Sequence, residues 1–161
     1  MKNLIKLSLT LFLGCFLFSG CSNDDDSISN QYLTAKVDGI DFAAEPNDSI
    51  KILRNIDGYG THLYVKGIST EGDFIEFVIY NYEGTGMYYF GKNYFNKSRI
   101  KFHQLSTLED WETILGPTSS NFVEITSNDG VSIEGNFSFD GNSKISGISK
   151  LISEGAFRAN Y

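Results

Sequence analysis

Between residues 122 and 139 the chain alternates apolar and polar side chains on both sides of Asn128-Asp129-Gly130. A period of two around such a turn folds back on itself as an antiparallel hairpin. A two-residue Asp129-Gly130 loop sets Ile125 opposite Glu134 and mixes the faces, whereas a three-residue loop over 128–130 pairs Ile125 with Ile133. A slip of one residue turns every side chain to the other face, so register selects the three-residue loop. Gly130 then takes the left-handed position, where glycine costs least. The second strand is expected to carry Val131, Ile133, Phe137 and Phe139 inward, with Ser132, Glu134, Asn136 and Ser138 outward.

The same pattern recurs in short segments separated by Gly, Asn and Asp, which predicts an antiparallel β protein. Leu33, Ala35 and Val37 alternate with Tyr32, Thr34 and Lys36, and Asp38-Gly39 turns the chain into Asp41-Phe42-Ala43-Ala44. Further strands are expected at 50–54, 61–68 and 73–81, the last apolar on both faces and therefore central. Ile100 and Phe102 alternate with Arg99, Lys101 and His103. Segment 152–161 puts Gly155, Phe157, Ala159 and Tyr161 on one face. Pro46 and Pro117 both fall between strand candidates, where the missing N–H does no harm. One segment reads two ways. Ser106-Thr107-Leu108-Glu109 is a capping box and Leu105, Leu108, Trp111 or Glu112, and Leu115 have helical spacing, but 111–114 also fits a strand. The expectation is at most one short helix, near 106–115.

The N-terminus is not part of this domain. Lys2 and Lys6 precede an apolar run from Leu7 to Phe18, long enough for an export signal and short for a membrane span. It ends in Phe18-Ser19-Gly20-Cys21, small residues directly before a cysteine, which is what a lipoprotein signal peptidase requires. Phe18 departs from the usual leucine. Phe12-Leu13-Gly14-Cys15 competes, but it truncates the apolar core and sets bulky Leu13 beside the cleavage point. Residues 1–20 are thus read as a signal peptide, and Cys21 as the acylated first residue of the mature chain. Residues 22–31 hold one aliphatic side chain and three consecutive aspartates, a composition that cannot bury enough apolar surface to fold. This tether reaches about 35 Å at most. Ser22 with Asp24, Asp25 and Asp26 resembles the surface-export signal of Bacteroidota lipoproteins, which implies an outer-membrane location facing the cell exterior.

Removing residues 1–20 takes two lysines and no acid, so the formal charge moves from −7 to −9. Net negative charge without a local Lys/Arg stripe argues against a nucleic-acid partner. With Cys15 removed and Cys21 acylated, no thiol is left for a disulfide, a zinc site or nucleophilic catalysis. Residues 32–161 make one domain, large enough to stand on its core alone.

The chain resembles small Bacteroidota surface lipoproteins with a single β domain of unknown function. The resemblance rests on Cys21-Ser22-Asn23-Asp24-Asp25-Asp26, Ala35-Lys36-Val37-Asp38-Gly39 with Phe42, and Gly84-Thr85-Gly86-Met87-Tyr88. It extends to Gly130-Val131-Ser132-Ile133-Glu134-Gly135-Asn136-Phe137-Ser138-Phe139 and Ser153-Glu154-Gly155-Ala156-Phe157. It implies an antiparallel β-sandwich or partly closed barrel, with strand around Trp111, and brings no activity and no catalytic residues.

Motifs for chemistry are sparse. His62 and His103 lie opposite the more apolar face of their strands, as surface histidines do. There is no Gly-x-Ser-x-Gly elbow, phosphate-cradling loop or paired-histidine motif. Asp140-Gly141-Asn142-Ser143 and Asp57-Gly58 are oxygen-rich, yet both lack the ligand spacing of a calcium loop and read as turns. No metal or cofactor is expected. Tyr80, Tyr82, Tyr88, Tyr89, Phe90, Tyr94 and Phe95 crowd around Gly84-Thr85-Gly86; this is core packing in a hairpin or a stacking surface for a ligand. If exposed, Tyr82, Tyr88, Tyr94 and Trp111 are the stacking candidates. The expected function is a non-catalytic binding or scaffolding module, anchored to the membrane through lipid on Cys21, whose partner is an extracellular glycan or an envelope protein. The alternative is a small glycosidase-like hydrolase using two of the 20 acids.

Overall fold

Each alternating segment forms a strand in the computed structural model, which describes residues 31–45, 50–57, 60–91, 97–113 and 120–161. The strands are β1 (Tyr32–Val37), β2 (Ile40–Ala43), β3 (Ile50–Asp57), β4 (Gly60–Ile68), β5 (Phe74–Tyr80) and β6 (Gly86–Tyr89), then β7 (Arg99–Gln104), β8 (Glu109–Thr113), β9 (Phe122–Asn128), β10 (Ser132–Ser143) and β11 (Ser149–Asn160). Cys21, Ser22, Asp24, Asp25, Asp26 and Tyr94 lie outside the described residues, as do Pro46 and Pro117. No helix occurs among the described residues. The fold is all-β: one antiparallel sheet in the order β2-β1-β11-β10-β8-β7-β5-β4-β3, curled into a half-barrel.

The sheet forks at β10. Its first half pairs with β9, which carries β6, and its last residues pair with β8. Asp140 falls between the two partners, and its N–H donates instead to Asn121 Oδ1 at 2.8 Å. Asn121 is buried, so a side chain fills the place a ladder bond vacates.

Curling brings remote strands face to face. Phe77 of β5 meets Phe157 of β11 at 5.1 Å and Phe137 of β10 at 6.1 Å, and Phe42 of β2 meets Phe102 of β7 at 6.2 Å. Leu33, Leu63, Ile75, Ile79, Ile100, Ile125 and Ile133 complete a dry interior. Each such side chain contributes roughly 1.5–3 kcal/mol through the surface it removes from water. Three core-facing glycines make room for the rings. A methyl group on Gly155 would meet Phe137, one on Gly135 would meet Phe157, and one on Gly141 would meet Trp111.

Two expectations are corrected by bulges and caps. Segment 106–115 is not helical: residues 105–108 turn and Glu109–Thr113 is strand β8, wedged between β7 and β10 with Trp111 inward. Two ladders satisfy this backbone, which a helix of three turns at most does not match without packing of its own. In the β9–β10 hairpin, Asn128 rather than Ile125 pairs with Ile133, and Ile125 pairs with Gly135. The carboxylate of Asp129 accepts from the N–H groups of Val131 (2.8 Å) and Ser132 (2.6 Å), while Asn128 Oδ1 accepts from Gly130 N–H. The longer, side-chain-capped loop carries Val131 out to solvent, 71 % exposed, and buries Ser132. A bulge at Thr126 then restores the parity that keeps Ile125 inside. Gly130 does adopt the left-handed conformation, with φ of +84°.

Candidate functional site

The topology separates the loops into two groups. The chain enters at one end, where Gln31 Oε1 accepts from Asn160 N–H and the β9–β10 turn meets Tyr161. At the opposite end stand the β1–β2 turn (38–39), the β4–β5 loop (69–73), the β7–β8 turn (105–108) and the β10–β11 loop (144–148). Carboxylates tie neighbouring segments of this end together. Asp38, in a turn whose two central residues both have positive φ, as a type I′ hairpin requires, accepts from Leu151 N–H at 2.9 Å and lies 3.5 Å from Lys150 Nζ. Glu109 accepts from Ser146 N–H at 3.1 Å and from the Ser143 hydroxyl. Asp73 accepts from Leu105 N–H at 2.8 Å. The four loops thus form a braced rim around the barrel mouth.

Two open depressions indent this end. One, of about 170 Å³, has Val37, Phe42 and Phe102 at its floor and Asp38, Asp73, Gln104 and Lys150 at its edge. The other, of about 230 Å³, lies between Asp110, Glu112, Asn142, Lys144 and Ile145. Both fall below the roughly 300–1,000 Å³ of pockets that enclose a drug-sized molecule. Serine donors hold the Glu109 carboxyl below its ordinary range. The N–H groups of Ser132 and Val131 do the same for Asp129 at the other end.

The outer wall carries a polar network where β4, β5, β7 and β8 run side by side. Tyr64 donates to Glu76 at 3.0 Å, Lys101 Nζ bridges Glu76 (3.1 Å) and Asp110 (3.7 Å), and His103 Nδ1 lies 2.7 Å from Asp110. Burial, followed by the Glu76 charge, pushes the Tyr64 hydroxyl far above its usual range. His103 stacks on Phe74 at 4.6 Å, and Lys66 Nζ lies 3.6 Å from the same ring. His62 packs against Tyr80 at 4.3 Å. Both histidines sit on the wall away from the core, as their strand positions imply.

The stacking candidates among the described residues, Tyr82, Tyr88 and Trp111, do not form a surface. Trp111 is 3 % exposed, clasped by Phe102, Gly141 and Lys150, and its Nε1–H has no acceptor among the described residues. Tyr82 is 4 % exposed. Its hydroxyl accepts from Asn128 at 2.7 Å, and burial pushes its pKa up to about 12. Tyr88 is half-buried against Tyr82, donating to Gly84 O at 2.7 Å. Within the described part of the aromatic cluster, Tyr82 and Phe90 are core, Tyr80 and Tyr88 are half-buried and Tyr89 is exposed. Of the oxygen-rich segments, 140–143 is strand β10 rather than a loop, and Gly58 lies outside the described residues. No cluster of metal-ligating side chains occurs among the described residues.

The rim escaped the sequence because its residues are scattered from Asp38 to Leu151 and only the strand order gathers them. No family model, curated protein or solved structure matches the chain.

Proposed function

We propose that the chain is an outer-membrane lipoprotein, held by a diacylglyceryl group on Cys21, whose β domain is a non-catalytic binding or scaffolding module facing the cell exterior. The observation that carries this is the order of the N-terminal elements: a short apolar signal, small residues before Cys21, and an acidic tether directly after it. The resemblance to Bacteroidota surface lipoproteins supports the location. The braced rim, at the end away from the chain's entry, supports a binding role. A protein partner suits this domain better than a glycan, because Tyr82 and Trp111 are core residues and sugar binding relies on exposed aromatic faces.

The test compares wild type with Cys21→Ala by intact mass, membrane partition and protease shaving of whole cells. A diacylated, shaved wild type and an unanchored variant are expected. An acylated Cys21→Ala, or a wild type protected inside the cell, contradicts the anchor or its orientation.

A second reading, the small hydrolase, draws either on Asp38, Asp41 and Asp73 in one depression or on a pair in the other, Asp110 and Glu112. Both members of that pair already face a base, His103 and Lys101 for Asp110 and Lys144 for Glu112, whereas glycoside cleavage needs one acid that keeps its proton. Hydrolysis of nitrophenyl glycosides that disappears in Asp110→Asn would establish this reading instead.

A further inference from the structure

Of the twelve large hydrophobic side chains exposed among the described residues, six, Ile40, Leu105, Leu108, Ile145, Ile148 and Leu151, stand on or beside the rim loops; Tyr32, Val131 and Tyr161 lie at the opposite end, and Leu53, Met87 and Tyr89 on strands β3 and β6. Ile145 is 78 % and Leu108 70 % exposed. Single exposed aliphatics need no explanation, but a concentration at one end marks an interaction surface. Leu105, Leu108, Ile145 and Ile148 sit on loops, and Ile40 and Leu151 on the strand ends beside them, in a region where Asp38, Asp73 and Glu109 already accept from neighbouring backbone, so docking there orders little that is not ordered beforehand.

We propose that the rim is the docking face for a protein that presents apolar side chains surrounded by lysine and arginine. Charge identifies the partner. Asp38, Asp41, Glu71, Asp73, Glu109 and Asp110 lie on or within three residues of the four loops, against Lys144, Lys150 and Lys101; the three lysines are paired, with Glu112, with Asp38, and with Glu76 and Asp110. An acidic border around an apolar centre complements a basic border around another. The same charge disfavours the two other occupants: anionic lipid is repelled, and so is an identical rim of a second copy. The outward direction of the rim rests on the lipoprotein reading, but the binding chemistry does not.

The experiment uses the full-length protein purified in a nonionic detergent, with detergent micelles alone as the blank. Two labelled amphipathic helical peptides serve as probes, one of leucine and lysine and one of leucine and glutamate. Wild type binds the leucine-lysine peptide at least about tenfold more tightly than the triple variant Leu108→Ser, Ile145→Ser and Ile148→Ser, while Leu53→Ser with Met87→Ser retains wild-type affinity. Asp41→Lys with Glu71→Lys, which keeps every aliphatic and every bracing carboxylate, also weakens binding. Equal binding by the triple variant, or equal binding of the leucine-glutamate peptide, overturns the proposal. So does capture of phosphatidylglycerol vesicles through the rim, or dimerisation in ultracentrifugation that the triple variant abolishes. Loss of the anchor in the Cys21 experiment leaves these outcomes unchanged, so the two readings fail separately.

Discussion

Replacing Gly155 by alanine puts a methyl carbon 2.5 Å from Cδ2 and Cε2 of Phe137 and 2.5 Å from the Phe137 carbonyl oxygen. The ring has little freedom to retreat, being packed between Phe77 and Phe157, and the carbonyl belongs to the strand itself. Overfilling a packed core costs about 1–3 kcal/mol, and a backbone obstacle sets this case at the upper end, about 3 kcal/mol. For a domain of this size that lowers Tm by roughly 10 °C. Scanning calorimetry of the mature chain measures it, with Gly147→Ala as the control, since nothing stands within 4 Å of a methyl group there and only its φ of +71° resists. Adding Phe137→Leu to Gly155→Ala should recover part of the loss, a coupling expected of residues in contact. A Gly155→Ala protein that melts within about 3 °C of wild type would mean that Gly155 does not lie under Phe137, and that the β10–β11 register is wrong.

Other consequences follow at the fork, the rim and the chain's entry. Asn121→Ala leaves the Asp140 N–H without its acceptor and costs about 1–3 kcal/mol, read as a shift in the urea midpoint at constant slope. Glu109 has its folded pKa below the ordinary value, so it stabilises the fold above the ordinary carboxylate range and ceases to as pH falls through the lowered value. Amide exchange over 144–148 should therefore accelerate in acid before the core strands open, and Glu109→Ala should show this acceleration already at neutral pH. Tyr82 has its folded pKa raised to about 12; its stabilising effect holds below pH 10 and is lost as pH rises toward 12. Absorbance titration at 295 nm should show two late tyrosines, Tyr64 and Tyr82, of which Tyr82→Phe removes the earlier.

The alternation of Tyr32–Val37 and the turn at Asp38-Gly39 were fully legible, because local sterics and a single buried face determine both. The left-handed Gly130 was legible for the same reason. The hairpin register was not: the two carboxylate bonds of Asp129 lengthen the loop and the bulge at Thr126 compensates, and no periodicity records such a pair of offsetting shifts. Trp111 is a stacking candidate only if exposed, and its segment alone does not decide that; its burial rests on the ladder to β10, where Gly141, 30 positions away, leaves room for the Trp111 Cβ and backbone. The rim lay beyond a linear reading altogether. Exposed Ile145 and Ile148 resemble core residues until the strand order sets the loop bearing them at the end of the sheet, where no described residue covers them.

The most direct test of the account is labelling of intact cells with a membrane-impermeant maleimide-polyethylene glycol, comparing wild type with Ile145→Cys. On the proposed lipoprotein reading, in which Cys15 is removed with the signal and the Cys21 sulfur is a thioether, wild type should be inert, while Ile145→Cys should gain one polymer without permeabilisation. A wild type that labels would show a free thiol at Cys21 and contradict the anchor. An Ile145→Cys protein that reacts only after the outer membrane is opened would contradict a rim facing the cell exterior.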